Sequence, residues 1–460
     1  MRLRQYFDAF IASFGGFAIG VSIAWNSSVS YQLNDTGATI LEIGFIGFIL
    51  NIGACIGSIF APCILKIFDF TNAIFLMFPV FFIGWSFISF SQTNVIFIMI
   101  GRLLCGNCCG ILCVLIPIYV AEIAKKEIRN RLMIFFHLLI NCGIMYAFLI
   151  DYLQEEEKII WQYSLLCGIS CVPIACIIFL PESAFYYLTK NDEIMAKQSL
   201  QRYQNNSNDD DDSDDNDSND FSEELEELKS LAAIFQSKVS SSLLKNRKIW
   251  RSFFASVVLV LTHQFSLINI IIFYAFTIFE LKYPSGDFDT SETILIIGIV
   301  QIAGSVLSII LIDLIGRRKL LLFSSIFMGI FLALLGWFMK VEKENTEFSE
   351  KYYWIPLTCI SLYFASFNCG IGPLAWSHHA DSFPVEIKLI GSSVVVFLSW
   401  ALSLIIILIL YMLIVFYGEV TTIFVFATFS WIDSILLFFL IRETKGKSLS
   451  DIQFEFDITE

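Results

Sequence analysis

Long uninterrupted apolar stretches recur along the whole chain, separated by short polar segments. Each stretch is about 20 residues or longer, the length that an α-helix needs to cross roughly 30 Å of hydrocarbon. Because lipid cannot satisfy free backbone N–H and C=O groups, we expect these stretches to be helices. Twelve stretches qualify, near residues 8–28, 43–66, 72–91, 94–121, 133–153, 161–181, 251–281, 292–315, 319–340, 352–378, 390–417 and 421–441. The pattern predicts an all-α membrane protein with twelve transmembrane helices.

The overall composition agrees with this pattern. Of the 460 residues, 57% are hydrophobic and 47 are Phe, and the mean hydropathy is +0.72. This apolar share is above that of soluble domains. Arg2 and Arg4 precede the first stretch, which lacks a small-residue cleavage site. We therefore expect the first stretch to be a membrane span and not a removed signal peptide.

The basic residues predict how the chain is oriented in the membrane. If both termini are cytoplasmic, the inner loops and tails carry 23 of the 29 Lys and Arg residues. This bias is typical of cytoplasmic loops, and it persists when the long 182–250 loop is left out. The net charge of −14 comes largely from one acidic run and does not indicate charged partners. We expect both termini to be cytoplasmic and no nucleic acid partner.

Two segments about 260 residues apart repeat the same order of Pro, aromatic, acid and base. They are Pro117–Tyr119–Glu122–Arg129 and Pro373–Trp376–Asp381–Lys388. Glu182 after the sixth stretch is likewise matched by Glu443 after the last one. These repeats predict a duplicated six-span unit with a solute pathway between its halves. The predicted organisation is two bundles, a loop and a tail, at 1–181, 251–441, 182–250 and 442–460.

The long loop contains the acidic run "DDDDSDDNDSND" at 209–220. A block of Asp, Asn and Ser cannot bury apolar area, so it predicts a solvated, disordered linker. A calcium-binding loop is excluded because the run has no central Gly. The flanking segments 192–204 and 222–236 have helical spacing and predict short amphipathic helices under the membrane domain.

The cysteines and one sequon complete the sequence-level inventory. All twelve Cys fall within the predicted spans, where small polarisable side chains pack well. No His or acid stands near Cys105, Cys108, Cys109 and Cys113 to complete a metal site, so we predict no metal and no cofactor. Asn34 opens an Asn-Asp-Thr sequon in the first outer loop and is a candidate for glycosylation.

Several motifs resemble the sugar porters of the major facilitator superfamily. In chain order they are "GRLLCGNCCG", "PIYVAEIAKKEIRNRL", "PES", "HQFSLINIIIFY", "DLIGRRKLLL", "GIGPLAW" and "ETKGKSL". The resemblance covers the whole chain except the acidic loop. The "GIVQ" at 298–301 and the following "RRKLLLFSS" favour the branch of insect facilitated trehalose transporters. The resemblance implies a fold of twelve helices in two six-helix bundles.

Charged residues at the predicted cytoplasmic ends of the spans are candidates for a gate. They are Glu122, Arg129, Glu182, Asp313, Arg317, Arg318, Asp381, Lys388 and Glu443. Opposite charges there can pair between the bundles and hold the inner side shut. We expect such pairs to be exposed, at about 0–1 kcal/mol each, which suits a gate that opens often. The alternative is that they are ordinary charges at helix ends.

Polar and aromatic residues inside the spans are candidates for solute binding, because polar groups are costly in the membrane. The resemblance implies that the family's sugar site is lined by His137, His263, Gln264, Asn269, Gln301, Asn368, Gly372, Trp376 and Trp400. Amides can donate to and accept from sugar hydroxyls, and indoles cover the apolar face of the ring. The alternative for a lone amide is a hydrogen bond between helices.

The chain departs from the family pattern at functionally important positions. His137 and His263 stand where typical sugar porters have Gln, and Leu267 replaces a Gly in the seventh span. Family symporters carry an Asp in the first span that can pair with an Arg of the fourth. The matching residues here are Asn26 and Arg102. Asparagine cannot titrate, so the resemblance implies transport that is not coupled to protons.

The sequence therefore predicts facilitated transport of a sugar, a hexose or trehalose, by alternating access in a monomeric, non-enzymatic cell-membrane protein. Its predicted partners are the sugar and the lipid bilayer. Three alternatives stay open. His137 or His263 could restore proton coupling, because histidine titrates near neutral pH. The altered site could carry another organic solute, or the protein could be a sugar sensor that does not transport.

Overall fold

The structure is a computed structural model of the chain, and all of its regular elements are helices within the described residues. The described residues are 2–35, 39–91, 94–125, 127–154, 160–203, 215–236, 246–273, 290–344, 348, 351–352 and 354–441. Eleven helices among them are long and apolar enough to cross a membrane, and Ile249–Phe265 is a shorter apolar helix. The prediction of an all-helical membrane protein is confirmed.

The first half of the chain forms six apolar segments. They are α1 and α2 (Arg2–Ala12 and Phe14–Asp35), α3 (Ile40–Ile64), α4 (Phe70–Ser89), α5 (Val95–Ile123), α6 (Arg129–Leu153), and α7 (Ile160–Gly168) with its 3-10 continuation Ile169–Phe179. These bounds lie within a few residues of the predicted ones, except that the first segment begins earlier and ends later than predicted. The sequon residue Asn34 lies in the last turn of α2 and not in a loop, and its side chain lies outside the described part.

The loop and the second half add the remaining helices. Those of the loop are α8 (Ala184–Thr189), α9 (Glu193–Gln201) and α10 (Asp215–Gln236). Those of the second half are α11 (Arg247–Phe265), α12 (Ile268–Phe273), α13 (Thr290–Ile315), α14 (Arg317–Glu344), α15 (Trp354–Cys369), α16 (Ile371–Asp381), α17 (Lys388–Tyr417) and α18 (Glu419–Leu440). We call the end of the molecule that carries α8–α10 the loop side.

Small residues let the spans of the first half pack backbone against backbone. A Cβ on Gly110 of α5 would lie 2.0 Å from the Ala54 carbonyl oxygen of α3, and one on Gly20 of α2 would lie 1.9 Å from the Ile140 carbonyl oxygen of α6. Real Cβ atoms do not approach so closely, so only Gly fits at these crossings. In lipid, where apolar side chains gain nothing by leaving water, such close contact is the main source of helix association.

The seventh span is broken at Ser266 and Leu267. Helix α11 ends at Phe265, α12 begins at Ile268, and Leu267 between them has φ of 60°. The Tyr363 hydroxyl donates to the carbonyl oxygen of Ser266, so a backbone acceptor exposed by the break is satisfied. The rest of the predicted span, 274–281, lies outside the described residues.

The loop helices pack against one another through one apolar face. Leu225 and Leu231 of α10 are buried, and Leu225 packs with Ala184 of α8 and Leu200 of α9. The predicted amphipathic helices on both sides of the acidic run are thus present. However, α10 begins at Asp215, so the prediction of a disordered linker over 209–220 is wrong for 215–220, where the acidic residues extend the helix that follows.

Glu182 ties the start of the loop to the first half of the chain. Its carboxylate accepts hydrogen bonds from the backbone N–H and the hydroxyl of Thr71, both at 3.0 Å, and from the Ser183 N–H at 3.2 Å. Burial raises the pKa of Glu182 to about 7, although these hydrogen bonds act in the opposite direction. The folded protein therefore favours the neutral carboxyl more than the unfolded chain does.

This shift predicts a pH-dependent stability. A raised carboxyl pKa contributes stability that is fully present below about pH 4.5 and is lost as the pH rises through about 7. We therefore expect the melting temperature of the purified protein to fall from about pH 5 to about pH 8. In Glu182→Gln, which cannot titrate, the slope should become shallower.

Glu193→Gln provides the matched control. Glu193 is exposed, and its ion pairs with Lys197 and Lys229 lower its pKa to about 2, below the tested range. The slope of this variant should match that of the wild type. If Glu182→Gln keeps the wild-type slope, another group causes the pH dependence.

Candidate functional site

A small cavity lies at the centre of the molecule, between the two halves of the chain. Its volume is about 30 Å³, and α2 and α6 of the first half face α11–α13 and α15–α17 of the second half across it. Seven of the nine predicted binding residues line it, namely His137, His263, Gln264, Gln301, Asn368, Trp376 and Trp400. The structure thus brings together residues that lie up to 263 positions apart in the sequence.

A network of buried hydrogen bonds joins the two halves at this cavity. The Asn368 side-chain oxygen lies 2.8 Å from His137 Nε2 and accepts a hydrogen bond from the Asn141 amide at 2.8 Å. The Asn141 amide also donates to the Ser305 hydroxyl at 2.7 Å. The Asn368 amide donates to the Phe364 carbonyl oxygen, which fixes the orientation of its side chain. Residues of α6 are therefore bonded directly to residues of α13 and α15.

Other polar groups around the cavity lack a partner within the part of the chain that the structure describes. These are Nδ1 of His137, Nδ1 of His263 and the amide nitrogen of Gln301, all of them buried. An unsatisfied buried polar group costs about 1–3 kcal/mol, so a ligand that supplies hydroxyl groups would gain these interactions. Gln264 differs, because its amide donates to the Ser399 hydroxyl at 2.9 Å.

Aromatic rings form one wall of the cavity. The His263 ring meets Trp376 edge-on with centroids 5.8 Å apart, and it meets Phe367 at 5.2 Å. Trp400 adds a second indole from α17. The lining thus combines polar groups with aromatic rings, a combination that matches a solute with hydroxyls and an apolar face.

The cavity is too small for a sugar. A volume of about 30 Å³ is close to the space that one water molecule takes up in the liquid, so a sugar ring needs the walls to separate. On the side opposite the loop, Gly298 of α13 packs so tightly on α6 that a Cβ there would lie 2.6 Å from Met145 Sδ. The halves therefore meet on that side of the cavity as well.

Among the described residues, one predicted binding residue, Gly372, does not line the cavity. Gly372 lies behind it, and a Cβ there would be 2.5 Å from His137 Nε2, so the glycine leaves room for the imidazole. The side chain of Asn269 lies outside the described residues.

Asn26 and Arg102, at the positions of the family's coupling pair, are also not among the lining residues. Both are buried, and Arg102 donates to the Ser22 carbonyl oxygen, with its guanidinium 5.1 Å from the Trp25 ring centroid.

The sequence analysis missed Asn141, Phe367 and Ser399 among the lining residues. Asn141 stands one helical turn after His137, and this spacing places both on the same face of α6. That signal was available in the sequence. Nothing in the sequence distinguishes Phe367 and the lining isoleucines, such as Ile19 and Ile23, from apolar residues that face lipid.

On the loop side, Asp381 lies between two arginines from different halves of the chain. Its carboxylate oxygens are 3.7 Å from Arg129 Nε and 3.5 Å from Arg317 Nη1. The three side chains are only 1–3% exposed, so the expectation of weak exposed pairs is wrong here. A second, partly exposed pair between the halves joins Asp313 to Arg131. Arg131 is not among the predicted gate residues.

The other predicted gate residues make contacts of different kinds. Glu122 accepts a hydrogen bond from the Ser183 hydroxyl at 2.6 Å, and Glu182 is bonded to Thr71, so both contacts stay within the first half and the loop. Arg318 donates to the Phe438 carbonyl oxygen within the second half. Lys388 lines a separate loop-side cavity together with Glu122. Glu443 lies outside the described residues.

Comparison with known proteins identifies the family. The model of the family described as "Sugar (and other) transporter" matches residues 8–456. A relative from the honeybee Apis mellifera ligustica, named facilitated trehalose transporter Tret1, is 28% identical over 463 residues, which cover 98% of this chain and 88% of the relative.

Solved structures share the fold at low sequence identity. The major facilitator superfamily proton:xylose symporter XylE, bound to 6-bromo-6-deoxy-D-glucose, has a TM-score of 0.84 at 19% identity, covering 99% of this chain and 100% of its own. The inward-open form of XylE from E. coli has a lower TM-score of 0.69 at 18% identity, covering 97% of this chain and 98% of its own. The family model matches nearly the whole length of this chain. This multi-pass membrane protein of the major facilitator fold therefore belongs to the sugar (and other) transporter family.

Proposed function

We propose that this protein carries a sugar, a hexose or trehalose, across a membrane by facilitated diffusion. Membership of the family and the relative named facilitated trehalose transporter support this function. The observation that carries the proposal is the central cavity, where amides, imidazoles and indoles from both halves converge. Such a set of donors, acceptors and ring faces is suited to an uncharged polyhydroxylated solute.

The network across the cavity suggests how binding is linked to movement. His137 and Asn141 of α6 are bonded to Asn368 of α15, so separating the halves breaks these hydrogen bonds. Sugar hydroxyls can replace them on both walls, since a hydroxyl both donates and accepts. Binding then replaces contacts between the halves by contacts with the solute, which lets the halves move without leaving polar groups unsatisfied.

The residues at the coupling position support a uniporter. Asn26 of α2 cannot exchange a proton. Arg102 of α5 contacts Ser22 and Trp25, which lie on α2 as Asn26 does. His137 has a partner in Asn368 that a neutral imidazole can satisfy, so it needs no protonation cycle.

Further features of the proposal follow from the charges and the helices. The halves 1–181 and 251–441 act as the two bundles, and the loop 182–250 and the tail 442–460 lie in the cytoplasm. The basic residues support this orientation. The loop side is then the inner side, and the residues Arg129, Asp381 and Arg317 close it. We further propose that the protein is a monomer in the cell membrane and is glycosylated at Asn34.

Counterflow measures the proposed mode of transport. In proteoliposomes loaded with unlabelled sugar, labelled glucose or trehalose should enter faster than into empty ones, reach equilibrium without net accumulation, and be unaffected by a protonophore. Liposomes without protein are the control. Accumulation that a protonophore abolishes would indicate a proton symporter. Saturable binding without any counterflow would indicate a sensor.

The gate can be tested by removing the buried anion between the two arginines. Asp381→Asn removes the buried anion that lies 3.7 Å from Arg129 Nε and 3.5 Å from Arg317 Nη1, and breaking a buried ion pair typically costs about 3–5 kcal/mol. We expect the closed inner side to loosen, so that peptides spanning 119–129 and 377–388 exchange amide hydrogens faster. Asp313→Asn is the matched control. It breaks a partly exposed pair worth about 0–1 kcal/mol and should have little effect. Equal effects of the two changes would contradict a gate based on the buried group.

Gln264 is the residue expected to determine affinity. Without the Gln264 amide, one hydroxyl of the bound sugar loses its hydrogen-bond partner, at a cost of roughly 1–3 kcal/mol. Gln264→Ala should therefore weaken apparent sugar affinity by about one to two decades. The neighbouring Phe265→Leu is the control, because Phe265 does not line the cavity and packs on Phe429 with centroids 4.7 Å apart. Counterflow at several sugar concentrations gives the apparent affinity of each variant. Equal, mild losses would place the binding site elsewhere.

A further inference from the structure

A second, larger cavity opens on the loop side of the molecule. Its volume is about 450 Å³, which is in the range of small-molecule sites. Three parts of the chain form its walls: the loop-side ends of α3–α5, the loop helices α8 and α10, and the segment 385–390 that leads into α17. None of the predicted solute contacts line it, so it is separate from the central cavity.

The interior of this cavity is apolar. Phe70 and Ile118 contribute from the first half, Leu231 and Phe235 from α10, and Leu389 from α17. Leu231 is almost fully buried, whereas Phe235 is 42% exposed. The walls therefore offer an apolar surface of molecular size to a ligand that enters past Phe235.

Basic side chains stand at the rim of the cavity. Lys66 and Lys190 are exposed lining residues that follow the ends of α3 and α8, and Lys190 Nζ lies 5.6 Å from the Tyr186 ring centroid. Lys388 is a buried lining residue, and the acids Glu122 and Glu386 line the cavity as partly buried side chains. The rim thus carries two exposed cations beside an apolar interior, a combination that matches an acidic head joined to an apolar chain.

The position of the cavity indicates that its ligand comes from the bilayer. Lys66 follows the end of one span and Phe70 begins the next, so the rim lies where spans leave the membrane. Beside Lys66, Ile67 is 76% exposed and Phe68 is 39% exposed. Ile390, itself a lining residue, is 59% exposed. These side chains extend the apolar interior to the lipid-facing surface.

We propose that this cavity binds an acidic phospholipid from the leaflet on the loop side. One acyl chain occupies the apolar interior between α10 and α17, and the acidic head lies at Lys66 and Lys190. The segment 385–390 belongs to the second half, whereas the other walls belong to the first half and the loop. Movement of the halves on the loop side therefore reshapes the site, so the bound lipid stabilises the closed form.

The proposal is tested by photolabelling of the full-length protein in nanodiscs. The probe is phosphatidylserine with a diazirine in its acyl chain, and the labelled peptides are identified by mass spectrometry. We expect labelling to concentrate on peptides 228–235 and 385–390. The double variant Lys66→Gln/Lys190→Gln should reduce it by about tenfold or more, because it removes two cations at the membrane surface. Leu231→Trp, which fills the interior, should reduce it as well.

Three controls decide the interpretation. Lys319→Gln removes an exposed charge at the loop-side start of α14, away from the cavity, and should leave the labelling unchanged. Equal labelling by a phosphatidylcholine probe, or uniform labelling of all lipid-facing helices, would overturn the proposal and indicate bulk lipid only. Displacement of the label by inorganic phosphate alone would also overturn it, because the site would then bind a free anion. The test reads binding directly, so it stands or fails independently of the transported solute.

Discussion

The buried carboxylate of Asp381 joins the two halves of the chain on the loop side, and the proposed gate rests on this contact. It is a single anion placed between Arg129 and Arg317, which come from opposite halves of the chain. Because all three groups are removed from water, separating the halves must also rehydrate them, which makes opening less costly than the Coulomb term alone implies. The partly exposed pair of Asp313 and Arg131 also joins the two halves, but it contributes little free energy. The loop side therefore combines one specific contact with weak ones.

The central cavity follows a different physical rule. In the hydrocarbon region there is no water to compete for hydrogen bonds, so polar groups pair with one another across the halves, as Asn141 and Asn368 do. The groups left over, on His137, His263 and Gln301, are the ones that a hydroxylated solute can use. His137 belongs to both sets, because its Nε2 bonds to Asn368 while its Nδ1 has no partner among the described residues.

The sequence predicted the helices well because lipid makes apolar length a strict requirement. It did not predict where spans are interrupted: the first is interrupted at Ser13, the tenth at Gly370, and the sixth continues as a 3-10 helix. Seven of the nine binding residues that it proposed, partly through the family resemblance, line the central cavity. The sequence did not predict that Asp381 is buried or that Arg131 pairs with Asp313, because both depend on how the two halves face each other. It placed disorder at 215–220, where a helix forms, because composition does not show the apolar face that follows.

Leu267 has a consequence for the mechanics of the seventh span. A residue with a Cβ in the left-handed region is about 1–2 kcal/mol above its right-handed conformation, whereas glycine at that position would be indifferent. The leucine side chain is 7% exposed, so its burial compensates for the backbone strain only while its present neighbours surround it. The connection between α11 and α12 therefore stores backbone strain at Leu267. If the packing around Leu267 loosens, its backbone favours a right-handed conformation, which would make the span straighter.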